Sequence, residues 1–225
     1  LHLPLGCLTE LLIEKNTFTN GSYGLYINGI GPTALCKGTQ VTNNSFSNFY
    51  GAVYLSYHDA PLVSRDSITN VGNVAVDLEN CANGMQVLKN KIILATGSYG
   101  IVVDYSSGGL GGLGNPARGL IANNFIALAS ASTTYGIQLY YSTNIDLYNN
   151  SVNITGNTTG STGLYLYGVA GNSVNLANNV FSNPGGGYAG GPNIIEDNSS
   201  GDFIGAGSAN LIRSNVYDSV IAGGF

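Results

Sequence analysis

The chain has 225 residues, 44% of them hydrophobic, which supplies a packed core and excludes an intrinsically disordered chain. Charged residues make up only 8%, which excludes surface helices laced with Glu and Lys pairs, and 33 glycines call for many turns. Seven Lys plus Arg against twelve Asp plus Glu give a net charge of −5, too few cations for nucleic acid or an anionic membrane surface.

Leu1–Leu8 is short, contains Pro4 and predicts neither a signal peptide nor a capping helix. No apolar run anywhere nears the roughly 18 residues that span a bilayer, so no membrane insertion is expected. From Leu11 onward one phrase recurs: Asn16 with Phe18, Asn44 with Phe46, Asp66 with Ile68, Asn90 with Ile92, Asn124 with Ile126, Asn150 with Val152, Asn179 with Phe181 and Asn215 with Tyr217. The spacings are 28, 22, 24, 34, 26, 29 and 36 residues, within the period range of solenoids. Three residues before each anchor stands an aliphatic side chain, from Ile13 and Val41 through to Leu176 and Ile212.

Between anchors a second phrase alternates with period 2: Leu25 and Ile27, Val53 and Leu55, Val76 and Leu78, Ile101 and Val103, Ile137 and Leu139, Leu164 and Leu166. Such alternation predicts strands with one buried face. Gly24, Gly100, Gly136 and Gly163 precede these strands, with Ala52 and Ala75 in the equivalent places, and are read as tight bends. Stacking the repeats as parallel strands about 4.8 Å apart puts equal positions above one another. The anchor Asn is then expected at an αL bend, bonding to the Asn one rung away. The expected ladder is Asn16, Asn44, Asp66, Asn90, Asn124, Asn150, Asn179 and Asn215, with Asp66 the odd rung.

Copies such as Val41–Phe46 (VTNNSF) followed by Gly51–Leu55 (GAVYL) make the chain resemble the right-handed parallel β-helix repeat family over nearly its whole length. The resemblance implies an all-β, right-handed parallel β-helix of about eight coils. The expected organisation is one such domain over residues 1–225, an excerpt of a larger protein, with glycine-rich loop insertions at 106–119 and 183–202. Proteins that resemble it include pectin and alginate lyases, polysaccharide hydrolases and epimerases, tailspikes, adhesins and surface proteins, so fold does not select an activity.

Aligned strands bring Tyr26, Tyr54, Asp77, Val102, Gln138 and Tyr165 into one outward column and Asn28, Ser56, Glu79, Asp104, Tyr140 and Tyr167 into the next. Solvated strand residues are the first reading. The second is a glycan site at Tyr26, Tyr54, Asp77, Glu79, Asp104, Tyr140, Tyr165 and Tyr167, because Tyr rings stack on pyranose faces and carboxylates grip hydroxyls or bind Ca²⁺. Catalysis comes last, since the basic residues do not gather there and no lyase or polygalacturonase signature occurs. His58 and Asp59 are the remaining acid/base candidates, read first as a turn hydrogen bond. No metal site and no required cofactor are expected.

Cys7, Cys36 and Cys81 lie 8 or 9 residues before their anchors; buried reduced thiols are preferred over a Cys7–Cys36 bridge, and Cys81 is expected free. The leading functional expectation is an extracellular or cell-surface module, a rigid structural or adhesive scaffold with a polysaccharide or glycan as partner. The alternatives are a polysaccharide lyase, hydrolase or epimerase and a subunit of a fibre or surface layer. Further coils or a neighbouring subunit are expected at the open ends, because unpaired strand edges invite pairing.

Overall fold

A computed structural model describes residues 9–107, 117–156, 158, 160–169 and 174–183 in full. It describes 2–3, 194–196, 203–205, 211–213 and 220–222 as backbone strands. Among the described residues all regular structure is β, and the paired strands are parallel.

Each coil passes through three faces. The first is a seven-stranded sheet from Leu12–Glu14 to Val174–Ala177. Its inward column runs Ile13, Val41, Val63, Val87, Ile121, Leu147 and Leu176 in unbroken register, which is the aliphatic position three residues before each anchor. The chain then turns a first corner at the anchor residue and enters an eleven-stranded sheet that folds over two faces. Thr17–Asn28, Ser45–Ser56 and Ser67–Glu79 run through both faces without a break. Ser67–Glu79 is the branch point, pairing through its first half with Lys91–Leu94 and through its second with Tyr99–Asp104.

The core is the space enclosed by these faces. The columns Phe46, Ile68, Ile92, Ile126, Val152 and Phe181, and Leu55, Leu78, Val103, Leu139 and Leu166, are buried in it. Period-2 alternation produces this directly, since successive side chains of a strand point alternately into the core and out of it, as in Lys91–Leu94, where Ile92 and Leu94 are buried and Lys91 and Ile93 exposed. Removing so many aliphatic side chains from water stabilises the fold by roughly 1.5–3 kcal/mol per buried Val, Leu, Ile or Phe before entropy is subtracted.

Two expectations are corrected. The glycines at the start of the wide sheet's second-face strands are not bends, for none of Gly24, Gly100 and Gly136 has a left-handed backbone. They are glycines because of crowding between coils: a Cβ on Gly24 would meet Phe46 Cδ1 at 2.7 Å and the Ala52 oxygen at 2.8 Å. A Cβ on Gly136 would meet the Gly163 oxygen at 2.5 Å. The segment 183–202, expected as a loop, contains the strand Ile194–Glu196, which pairs with Leu211–Arg213. Ile212 therefore has its partner there and not in the seven-stranded sheet.

Candidate functional site

On the second face of the wide sheet the register is Tyr26, Tyr54, Asp77, Val102, Gln138, Tyr165 in one column. The next column is Asn28, Ser56, Glu79, Asp104, Tyr140, Tyr167. Asp77 and Glu79 project from one strand two residues apart, and Glu79 and Asp104 are direct neighbours across rungs, so three carboxyls share a patch about 5–7 Å across. Val102 and Ser56 are the exceptions to an outward reading, at 5% and 2% exposure.

The carboxyls are linked to neutral donors. Tyr54 donates its hydroxyl to Glu79 Oε2, Asn80 Nδ2 donates to Glu79 Oε1 at 3.3 Å and Gln138 Nε2 to Asp104 Oδ1 at 3.4 Å. Asp77 Oδ1 is buried without a partner. Burial first, then the charges of Asp104 and Glu79, push the Asp77 carboxyl up to about 7. Burial also raises Asp104, partly offset by the Gln138 hydrogen bond. Burial and the Glu79 bond raise the Tyr54 phenol. Among the described residues no Lys or Arg pairs with this patch, and no group of three or more His, Cys, Asp or Glu is arranged to hold a metal ion.

The tyrosines stack on one another. Tyr26 lies on Tyr54 with centroids 4.6 Å apart and Tyr140 on Tyr167 at 5.0 Å, interplanar angles 12° and 9°. Rings stacked rung upon rung have their faces along the solenoid axis and their edges and hydroxyls outward. The expected stacking of Tyr faces on sugar is therefore corrected within these pairs; what the face offers a ligand is a row of phenol hydroxyls, amides and carboxyls. Tyr105 and Tyr141, missed from sequence, extend that row at the adjoining corner, stacked at 5.6 Å and 8° and both about half exposed.

At the first corner the anchors form a hydrogen-bonded row. Asn16, Asn44, Asn90, Asn124 and Asn150 each donate backbone N–H and side-chain Nδ2 to Oδ1 of the next anchor, at 2.6–3.3 Å. Asp66 donates only its backbone N–H, to Asn90 Oδ1 at 2.9 Å. Asn44, Asn90, Asn124, Asn150 and Asn179 also donate Nδ2 to a carbonyl of the first face: Ile13, Val63, Val87, Ile121 and Leu147. Asn215 lies outside the described residues. The αL expectation is corrected, for the left-handed residue is the one before each anchor: Lys15, Asn43, Arg65, Lys89, Asn123, Asn149 and Asn178, with φ of 55–58°.

Residues 7–116 match a family model described as right handed beta helix region. This segment belongs to the right-handed β-helix family. Comparison with curated proteins gives no match.

The β-helix has a second row, at the corner after the second face of the wide sheet, that sequence reading missed. A left-handed residue, Tyr57, Asn80, Tyr105 or Tyr141, is followed by an inward polar one: His58, Cys81, Ser106 or Ser142. His58 Nε2, Cys81 Sγ, Ser106 Oγ and Ser142 Oγ face the carbonyls of Ile27, Leu55, Leu78 and Val103, at 3.3, 3.6, 3.4 and 2.8 Å. Cys81 and Ser106 donate backbone N–H to the next hydroxyl, Ser106 Oγ and Ser142 Oγ. The only sequence signal is a small or polar residue three places after the last inward aliphatic, shared by too few coils to stand out.

This row disposes of the acid/base pair. A carbonyl only accepts, so His58 carries its hydrogen on Nε2; it is 1% exposed, and burial lowers its pKa. Asp59 faces away and pairs with Lys37 at 3.9 Å. Burial pushes the free Cys81 thiol up to about 12, so it is a packing residue. Cys36 is disulfide-bonded, against the preference for reduced thiols, and Cys7 lies outside the described residues.

Proposed function

We propose that this β-helix is an extracellular or cell-surface module of about eight coils with an Asn ladder, a rigid adhesive scaffold that binds glycan on the second face of its wide sheet. The observation that carries the reading is the pair of adjoining columns in which Tyr54, Asp77, Glu79, Asp104, Gln138, Tyr140 and Tyr167 meet with no ion-paired cation among the described residues. Sugar hydroxyls both donate and accept, and these columns offer phenol and amide donors interleaved with carboxyl acceptors at rung spacing. The stacked rings and paired carboxyls are immobilised before a ligand arrives, which lowers the ordering cost of binding. The disulfide at Cys36 supports an oxidising compartment.

The test is a neutral-glycan array probed with the whole chain and with Asp77→Asn, Asp104→Asn and Tyr167→Ala. Binding lost in the variants supports the reading; array signals that survive all three substitutions, or no signal from the parent, overturn it.

A second reading has one specific observation behind it. An Asp77 carboxyl that titrates near 7 beside Glu79 and Asp104 is the arrangement a hydrolase or lyase uses for proton transfer. Reducing-end and unsaturated-uronate assays on a polysaccharide panel decide it, with turnover abolished by Asp77→Asn as the result that would replace the scaffold reading.

A further inference from the structure

Three cations on two neighbouring coils stand without acidic partners. Lys15 pairs with Glu14, Lys37 with Asp59 and Arg118 with Asp146, whereas Arg65, Lys89 and Lys91 make no ion pair among the described residues. Arg65 and Lys89 flank a shallow groove of about 140 Å³ completed by Leu62, Ser64, Gln86 and Leu88. The strands beneath it are locked in register, Gln86 on Leu62 and Leu88 on Ser64, and the Arg65 backbone N–H is bonded to the Leu88 oxygen at 2.9 Å. Asp66, next to Arg65 in sequence, is turned inward and bonded to Asn44. Lys91 follows on the first face of the wide sheet, in register with Ser67.

The backbone adds an independent observation. Arg65 and Lys89 hold φ of 56° and 58° at the corner where Asn43, Asn123, Asn149 and Asn178 stand in four other coils and Lys15, paired with Glu14, in a fifth. Asn enters the left-handed region more easily than a long side chain does, so Arg and Lys here are conformationally the poorer choices. Two like charges one rung apart, about 4.8 Å in backbone spacing, also repel each other unless an anion lies between them. Conformation and electrostatics both disfavour this pair in the empty protein, and both are offset by a bound oxyanion, which Arg grips with two parallel N–H bonds.

We infer that the groove between Arg65 and Lys89 is an anion subsite for a glycan carrying carboxylate or sulfate groups. Three cations in a chain of net charge −5 are too sparse for a phosphate polymer and sufficient for isolated charges on an oligosaccharide. The subsite lies at the first corner, separate from the acidic second face, and does not depend on glycan binding there.

The experiment titrates the whole chain at low salt with an oligogalacturonate, a sulfated oligosaccharide and an uncharged oligosaccharide of equal length. Binding of either charged probe and not the uncharged one is expected, the stronger of the two identifying the group recognised. Arg65→Asn with Lys89→Asn should weaken it about ten-fold or more while Tm holds or rises, because Asn is the native residue at this corner in four other coils. Lys91→Gln, outside the left-handed position, should weaken binding about two- to five-fold without changing the backbone. Absence of binding by both charged probes, or unchanged affinity in the double and Lys91→Gln variants, overturns the proposal.

Discussion

Asn44 donates twice to one oxygen of Asp66, from its backbone nitrogen at 2.6 Å and its amide at 3.1 Å, and leaves Asp66 Oδ2 buried with no partner. In the Asn44, Asn90, Asn124, Asn150 and Asn179 rungs the corresponding atom is an amide nitrogen that donates to a carbonyl. Asp66 can fill that donor place only as a neutral carboxyl. Burial, partly offset by the Asn44 bonds, raises it from 3.8 to about 6.

The sign of the linkage follows. Near pH 4 and below, the unfolded chain also carries the proton and the stabilisation is fully present; it is lost as pH rises towards about 6 and is absent above. Asp66→Asn should add about 1–3 kcal/mol at pH 7 and flatten the fall in stability across that window. Urea unfolding at pH 4, 5, 6 and 7 measures both, and parallel pH profiles for parent and variant would count against it.

Asn124 lies in mid-row. Its Oδ1 accepts from Asn90 N–H and Nδ2, and its Nδ2 reaches Val87 O at 2.8 Å and Asn150 Oδ1 at 3.0 Å. Asn124→Ala removes the acceptor of the Asn90 N–H and the donor to the Val87 oxygen on the neighbouring coil and should cost about 1–3 kcal/mol, whereas Asn123→Gly, at the left-handed position, should be near neutral. Thermal unfolding of the two variants should separate them clearly.

Gly136 has no room for a methyl group between Val152 and Gly163. Gly136→Ala should therefore destabilise by about 1–3 kcal/mol despite its ordinary backbone conformation. Gly72→Ala, whose nearest atom would be the Phe49 oxygen at 3.8 Å, is the matched control, and equal Tm values for the pair would contradict this account.

Asp77 shares its patch with Asp104 and Glu79, and it too is protonated in the folded chain up to about 7. Its folded pKa is raised, so its contribution is present at low pH and is lost as pH rises from near 4 towards 7. Asp77→Asn should stabilise more at pH 8 than at pH 5, read as the difference in urea midpoints. A larger gain at pH 5 would mean that Asp77 is charged throughout.

Much of the architecture was determined by the sequence alone. The aliphatic column from Ile13 to Leu176, the anchors from Asn16 to Asn179 and the two outward columns through Asp77 and Asp104 are repeats of residue type, and a stacked solenoid converts repetition in sequence directly into register. The tertiary structure decided how neighbouring side chains use that register. It put the left-handed backbone on Lys15, Arg65 and Lys89 instead of on the anchors, sent His58 inward and Asp59 out to Lys37, and turned Tyr26 and Tyr140 onto Tyr54 and Tyr167. It also built the row from His58 to Ser142 out of three residue types. Inward or outward facing is set by alternation within one strand, a local property. A hydrogen bond or a stacked ring is set by which atoms from a residue 22 to 36 positions away arrive on the next rung, and no local pattern carries that information.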